Sequence, residues 1–143
     1  MIQLRVPGEL TYRDLVTRAV TKCCKVAVDQ RLLANEPTRE EFENELVSAV
    51  GEAFNNVVIH AYDSDATQAV TVVLRYELDY VEVELRDVGQ GFDPDEVPEP
   101  DLTELPEGGM GLFIMKSFVD EIRYTEGVPN VLVLRKYFDA QAS

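Results

Sequence analysis

Three short segments of the chain carry the residue types whose spacing could support chemistry. Glu52 and Asn56 lie four residues apart in a stretch with helical periodicity. Asp87 opens a glycine-containing segment that runs to residue 91 (DVGQG), and residues 108–112 (GGMGL) precede an apolar run. Together the segments offer carboxylates, an amide oxygen and backbone N–H groups, which can hold a cation, an organic base and an anion.

The first segment places a carboxylate and an amide on one side of a predicted helix. Residues four apart share a helix face, so Glu52 and Asn56 should lie side by side. Their oxygens suit two tasks: one can coordinate magnesium bound to phosphates, and the other can orient or deprotonate a nucleophile. Ordinary polar residues on a solvent-facing helix give the same pattern, and by spacing alone Asn55 is an alternative ligand.

The second segment follows a predicted strand. The carboxylate of Asp87 can accept a hydrogen bond from the exocyclic amine of adenine. Gly89 and Gly91 let the backbone approach a flat base, because glycine has no Cβ and adopts positive φ readily. A plain turn that leaves a sheet has the same composition, so this segment alone does not decide between a base site and a turn.

The third segment leads directly into a helix. Free backbone N–H groups at a helix start, together with the helix dipole, form an anion site suited to a triphosphate. A simple glycine turn before a helix is the alternative. No Lys or Arg lies between Arg86 and Lys116, so phosphate charge would rest on backbone amides and magnesium. Lys116 is either a phosphate partner or a solvent-facing helix residue.

Composition limits the classes of partner. The 143 residues suit one domain spanning 1–143, and the net charge of −14 comes with no basic stripe, which disfavours nucleic acid. No apolar run is long enough to span a membrane, and the N-terminus lacks a signal-peptide pattern, so we expect a cytoplasmic protein. Cys23 and Cys24 are adjacent on a predicted helix, which indicates buried thiols rather than a disulfide or a metal clamp.

The order of predicted elements indicates an α+β fold. Helices are expected over 12–31, from Thr38 to about Ala61, and over 111–119; Thr38 and Glu41 form a capping-box signature. The expected strands share alternating apolar residues. They cover 2–6, 70–78, 81–86, 121–125 and 131–137. We therefore predict a two-layer sandwich in which a mixed, mostly antiparallel sheet carries its helices on one face.

The three segments resemble the N, G1 and G2 boxes of the GHKL ATPases, the superfamily with the Bergerat ATP-binding fold that includes gyrase and the histidine kinases. Residues 51–62 (GEAFNN through HAY) and 108–121 (GGMGL through DE) look more specifically like the small bacterial anti-sigma-factor serine/threonine kinases. The resemblance covers nearly the whole chain. It implies ATP and Mg²⁺ as the bound nucleotide and metal ion.

The resemblance also implies a role for each polar residue of the first two segments. Glu52 would be the catalytic base, and Asn56, in preference to Asn55, would be the Mg²⁺ ligand and contact the nucleotide. Asp87 would bind the adenine amine, and Gly89 and Gly91 would line the base.

In the third segment the implied nucleotide contacts are Gly109, Met110, Gly111 and Leu112. Residues 93–107, which hold four prolines and seven acidic residues, would be the ATP lid. Some relatives have a basic residue just before the second glycine box, whereas this chain has Glu107-Gly108 there. The departure bears on phosphoryl transfer rather than on ATP binding.

The resemblance implies a protein kinase that binds and inhibits a sigma factor and phosphorylates a serine or threonine on a STAS-domain antagonist. Such kinases are often homodimers. One alternative is a non-catalytic regulatory switch in which ATP sets partner affinity. Another is the ATPase module of a two-component signalling kinase, which is disfavoured because the only histidine, His60, lies on the Asn56 helix.

Overall fold

A computed structural model of the chain describes residues 1–31, 36–62, 67–89 and 110–138. The strands within these ranges are β1 (Ile2–Pro7), β2 (Ala69–Tyr76), β3 (Tyr80–Asp87), β4 (Glu121–Thr125) and β5 (Asn130–Tyr137). The α-helices are α1 (Arg13–Arg31), α2 (Glu36–Asn56) and α3 (Met110–Phe118). No helix in the described ranges is long and apolar enough to cross a membrane.

The five strands form one sheet in the order β1-β2-β3-β5-β4. Each described pair of neighbours is antiparallel, which confirms the mostly antiparallel sheet expected from the sequence. The sheet forms because the strands alternate: Val81, Val83 and Leu85 of β3 are fully buried in the core, while the residues between them point to the other face. Strand order brings the end of β3 beside the start of β5.

The core lies between one face of the sheet and the helices. The central helix α2 packs against both α1 and α3. Its predicted apolar face is buried as expected, and full burial of each large apolar side chain contributes about 1.5–3 kcal/mol. The buried residues of this face are Phe42, Leu46, Ala49, Val50, Ala53 and Val57.

The apolar residues at helical spacing over 12–31 include Leu15 and Val26, which predicts that both face the core. Leu15 and Val26 of α1 are 50% and 45% exposed. Cys23 and Cys24 are both buried and free, as predicted. Burial raises the pKa of the Cys24 thiol well above its usual range, so this thiol stays protonated and unreactive.

The other face of the sheet carries cross-strand ion pairs in place of helices. The Glu82 carboxylate, almost buried on β3, accepts hydrogen bonds from Arg135 at 2.7 Å and Arg123 at 3.2 Å. On the same face Arg86 donates to Glu84. Strand alternation places these charged residues on the face opposite the core. The described helices therefore occupy a single face of the sheet, as the sequence predicts.

Two boundaries of α2 differ from the sequence expectation. The helix begins at Glu36, so Thr38 lies inside the first turn rather than at its cap. Pro37 is compatible with this start, since its missing N–H is not needed in a first turn. At the other end the α-helix stops at Asn56 and continues as a π-helical turn, Val57–Ala61. The predicted lid, 93–107, lies outside the described residues, and the assignment of 1–143 to one domain stays a prediction.

Candidate functional site

The first and third segments meet where α3 begins. Gly111, in the first turn of α3, faces Glu52 of α2 so closely that a Cβ at Gly111 would lie 2.6 Å from Glu52 Oε2. Real Cβ atoms do not approach an oxygen this closely, so only a glycine fits without moving the carboxylate. The contact brings a carboxylate to the N-terminal end of a helix that follows a glycine-rich segment.

A second glycine fixes the other side of α2. Arg13, at the start of α1, lies against Gly51 and donates from Nε to the Gly51 carbonyl oxygen at 3.3 Å. A side chain at position 51 would collide with the Arg13 guanidinium. Successive residues of α2 thus contact the two neighbouring helices, Gly51 toward α1 and Glu52 toward α3, and this fixes how α2 presents Glu52.

Asn56 is the last residue of α2 and is half-buried, one helical turn beyond Glu52. Its neighbour Asn55 has a buried side-chain oxygen, Oδ1, that accepts no hydrogen bond from any described residue. An unsatisfied buried acceptor costs about 1–3 kcal/mol, so it marks a place where the fold leaves an oxygen unused. Asn55 and Asn56, the two candidate amide ligands, thus both lie at the C-terminal end of α2.

Asp87 ends β3 and is only 6% exposed. Its Oδ1 atom accepts hydrogen bonds from the Gly89 N–H at 3.0 Å and from Asn130 Nδ2 at 2.9 Å. Among the described residues no donor reaches the other oxygen, Oδ2. The carboxylate is thus held by one oxygen and can accept from an external donor through the other, as adenine recognition requires.

Asn130 is a site residue that the sequence analysis did not identify. It opens β5 directly opposite Asp87 in the strand register and is 1% exposed. Besides Asp87, its Nδ2 donates to the Gly89 carbonyl at 3.0 Å, and its Oδ1 accepts from the Gly127 N–H at 2.9 Å. In the sequence this asparagine ends the turn segment 127–130 between the expected strands 121–125 and 131–137. A turn position gives no sign that its side chain reaches Asp87 at the end of β3.

Tyr62 is the second residue that was missed, although it lies in the segment that carried the resemblance. Its hydroxyl donates to the Ala69 carbonyl at 2.6 Å and accepts from the Val88 N–H at 2.9 Å. Its ring lies against Gly8, where a Cβ would come within 2.7 Å. Burial raises the pKa of Tyr62, so the phenol keeps the proton it donates. Tyr62 thereby fixes the backbone next to Asp87.

The sequence of this chain matches known proteins over most of its length. The model of the histidine kinase-like ATPase domain matches residues 17–136. The chain belongs to this family. Anti-sigma F factors of Bacillus thuringiensis (strain Al Hakam), Bacillus mycoides (strain KBAB4) and Bacillus cereus (strain AH187) are each 34% identical to it over 119 residues. The alignment with each covers 79% of this chain and 81% of the relative.

Membership of an ATPase family implies that the chain binds ATP. It also confirms the GHKL resemblance drawn from the three segments. The match includes the described site residues from Glu52 to Asn130, whereas Gly8 and Arg13, which support them, precede the matched range.

The glycine-rich residues of this histidine kinase-like domain are only partly described. Gly89 and Gly111 lie at the two contacts given above, whereas Gly91 and Gly109 fall outside the described residues. Leu112 packs its side chain into the core. Because it belongs to the first turn of α3, as Met110 does, its backbone N–H is among those without an intrahelical acceptor.

Lys116 lies at the wrong end of α3 for a phosphate contact. It falls in the last turn of the helix, about 9 Å along the axis from Met110 at 1.5 Å per residue. Of the two interpretations that the sequence left open, the helix-surface role is therefore favoured. Phosphate charge would rest on backbone N–H groups and a metal ion.

The donor set fits Mg²⁺ only as part of a shared site. In the described ranges no group of three or more His, Cys, Asp or Glu residues could hold a metal ion. Mg²⁺ usually keeps several waters and takes one or two protein oxygens together with substrate phosphates. One amide oxygen from Asn56, with Glu52 a turn away, is compatible with that arrangement.

Proposed function

We propose that this chain is an ATP-dependent serine/threonine protein kinase and anti-sigma regulatory factor. In this proposal it binds a sigma factor and transfers the γ-phosphoryl group of ATP to a STAS-domain antagonist. The observation that carries the catalytic part is the contact between Glu52 and Gly111: a carboxylate lies against the first turn of the helix whose N–H groups would hold phosphate. A site that only bound nucleotide would not need a carboxylate there.

Asp87 holds the nucleotide at its base. Its Oδ2 accepts the adenine amine while Oδ1 stays bound to Asn130 and Gly89. Gly89 and Gly91 leave room for the flat base beside this carboxylate. The base end therefore positions the nucleotide, and the reacting phosphate lies elsewhere.

At the phosphate end, backbone N–H groups from Gly109 to Leu112 donate to the phosphate oxygens, and the α3 dipole favours their charge. Asn56 contributes an oxygen ligand for Mg²⁺, which when bound would neutralise phosphate charge. Glu52 accepts the proton of an incoming serine or threonine hydroxyl as its oxygen attacks the γ-phosphorus and the bond to the ADP oxygen breaks. Catalysis is mostly positioning and charge neutralisation.

The partners follow from the relatives' name and from charge. The curated relatives are called anti-sigma F factors, which supports a sigma factor as the bound protein. The net charge of −14 would steer a basic surface of a partner toward the chain. A STAS-domain substrate and a homodimeric assembly complete the proposal.

A non-catalytic switch is the second candidate, and a specific observation favours it. The sequence has no Lys or Arg between Arg86 and Lys116, and the predicted lid carries seven acidic residues. An acidic lid supplies no cation to the transferring phosphoryl group, whose charge must be stabilised in the transition state. In that case ATP would set partner affinity without transfer.

Glu52→Gln tests the kinase against the switch. The amide keeps the size of the side chain beside Gly111 but cannot accept the proton. We expect ADP affinity within about threefold of wild type and a transfer rate that falls about 10²- to 10⁴-fold, the usual contribution of a general base. Radiolabelled ATP with Mg²⁺ and a purified STAS-domain protein measures transfer; phosphoamino-acid analysis identifies the acceptor.

Glu40→Gln, an exposed substitution on the same helix, is the matched control and should change neither quantity. Transfer by Glu52→Gln at the wild-type rate would remove Glu52 from the base role. A wild-type protein that binds ADP and a sigma factor but labels no STAS serine or threonine would establish the switch instead.

A further inference from the structure

The end of β3 contains a buried carboxylate that depends on neutral donors. Asp87 is 6% exposed, and none of its described hydrogen bonds comes from Lys or Arg. Burying a carboxylate is costly unless donors replace its lost water. The donors found are the Gly89 N–H and the side-chain amide of Asn130, so Asn130 supplies the only side-chain donor among the described contacts of Asp87.

The orientation of the Asn130 amide is fixed by its other contacts. The Gly127 N–H can only donate, so the atom facing it must be the amide oxygen. The amide nitrogen consequently faces Asp87 and the Gly89 carbonyl, two acceptors for its two hydrogens. Asn130 can therefore only donate to Asp87, and Asp87 Oδ1 can only accept.

From this geometry we infer that Asn130 is a positioning residue that makes the base end selective for a 6-aminopurine over a 6-oxopurine. By holding Oδ1, it directs Oδ2 as an acceptor toward the base, where an amino group can donate and a carbonyl oxygen would be repelled. The inference rests on the proposed role of Asp87 in nucleotide binding. It adds a residue 43 positions further along the chain that determines how Asp87 performs that role.

A purely structural role would predict something different. Asn130 also connects the turn at Gly127 to the turn at Gly89, so its loss would loosen two turns. If loss of Asn130 only loosened the turns, the affinities for all purine nucleotides should fall equally. If Asn130 acts through Asp87, its loss should lower the affinity for the aminopurine more than that for the oxopurine. The ratio of the two affinities therefore separates the two roles.

The experiment measures ADP and IDP affinities by calorimetry for wild type, Asn130→Ala, Asn130→Asp and Asn130→Ser. We expect Asn130→Ala to lose about ten- to a hundredfold in ADP affinity, the effect of losing a hydrogen bond to a charged group. IDP affinity should change little, so the ADP preference falls by about tenfold or more. Asn130→Asp has the same shape but places a second carboxyl group against Asp87, and two such groups share a proton. Asp87 is then no longer held as a fixed acceptor and the preference should fall similarly, whereas Asn130→Ser keeps a neutral donor and should retain part of the preference.

Leu132→Ala is the matched control, since Leu132 is the next core-facing residue of β5 and contacts the core instead of Asp87. It should lower the unfolding temperature without changing the ADP-to-IDP ratio. A wild-type protein that bound no ADP would overturn the proposed site itself. A wild-type preference for ADP that survives in both Asn130→Ala and Asn130→Asp would overturn only the role of Asn130. A wild type with no preference for ADP over IDP would overturn the proposed contact between Asp87 and the base amine together with the role of Asn130.

Discussion

The two ends of the proposed nucleotide site are built in different ways. At the base end, Asp87, Asn130 and Tyr62 form a buried set of hydrogen bonds between strand ends and turns. At the phosphate end, Glu52 and Gly111 meet through the packing of one helix on another, and the close contact depends on the absence of a side chain. Directional hydrogen bonds therefore hold the base end, whereas close packing of two helices holds the phosphate end.

This difference assigns separate tasks to the two ends. A set of buried hydrogen bonds keeps one geometry, because breaking any of them leaves an unsatisfied polar group. A helix-to-helix contact can shift by fractions of an ångström when a side chain changes, and phosphoryl transfer is sensitive to shifts of that size. We therefore expect changes at the base end to alter affinity and changes at the phosphate end to alter the transfer rate.

The largest effect on affinity should come from Asp87→Ala. The substitution removes the acceptor for the base and also leaves the Asn130 amide without one of its acceptors. The lost hydrogen bond between the base and a charged group corresponds to about 1.5–3 kcal/mol, or roughly ten- to a hundredfold in ADP affinity, while the unpaired Asn130 amide lowers the stability of the free protein and the complex alike. Calorimetric titration with ADP measures this, and Asp79→Ala, in the exposed turn between β2 and β3, is the control. ADP affinity within a few-fold of wild type would show that the base binds elsewhere.

Gly111→Ala should alter the phosphate end and leave the base end unchanged, in contrast to Asp87→Ala. Its Cβ would lie 2.6 Å from Glu52 Oε2 and would displace that carboxylate, while the base end stays intact. We expect ADP affinity within about threefold and a transfer rate about 10- to 100-fold lower, since misplacing a catalytic group by about 1 Å costs up to 10²-fold.

Ser117→Ala, an exposed substitution on the same helix α3, is the control and should change neither quantity. The double variant Gly111→Ala, Glu52→Gln should lose little beyond Glu52→Gln alone, because both changes act on one carboxylate. Fully additive losses would contradict that coupling.

The two ends depend on sequence patterns of different range. Glu52 and Asn56 share a helix face by simple periodicity, and glycines before a helix predict an anion site, so the prediction of a phosphate end needs only local patterns. Asn130 reaches Asp87 only because β5 pairs with β3, a pairing between residues 43 positions apart. Its local sequence indicates a turn, and only the strand register turns that asparagine into a buried partner.

The same reasoning explains the other differences. Local sequence located α2, but its change to a π-helical turn after Asn56 depends on Tyr62, whose N–H donates to the Val57 carbonyl at 2.9 Å. Tyr62 in turn is fixed by Gly8, in a distant segment, and by Ala69, which opens β2. Apolar residues that recur every 3.6 or 2 residues predict helices and strands, whereas contacts between these elements decide where each one ends.

The smallest predicted effect concerns how α3 is held at its far end. Lys136 of β5 donates to the Phe118 carbonyl at 2.7 Å and to Glu45 at 2.8 Å, and so ties the C-terminus of α3 to α2. Lys136→Met keeps the length of the side chain but loses both bonds, and we expect it to lower the free energy of unfolding by about 1–3 kcal/mol. Because this tie lies at the opposite end of α3 from Gly111, transfer should fall only about two- to fivefold if the helix moves as a unit.

Chemical denaturation measures the stability change, and the ratio of ADP affinities in variant and wild type tests the separation of the two ends. Lys22→Met, an exposed substitution on α1, controls for the loss of a positive charge. If Lys136→Met lowered ADP affinity as much as it lowered transfer, the base end would depend on helix packing too, and the two ends would be one unit. Unchanged ADP affinity with slower transfer would instead locate the adjustable part of the site in the position of α3 relative to Glu52.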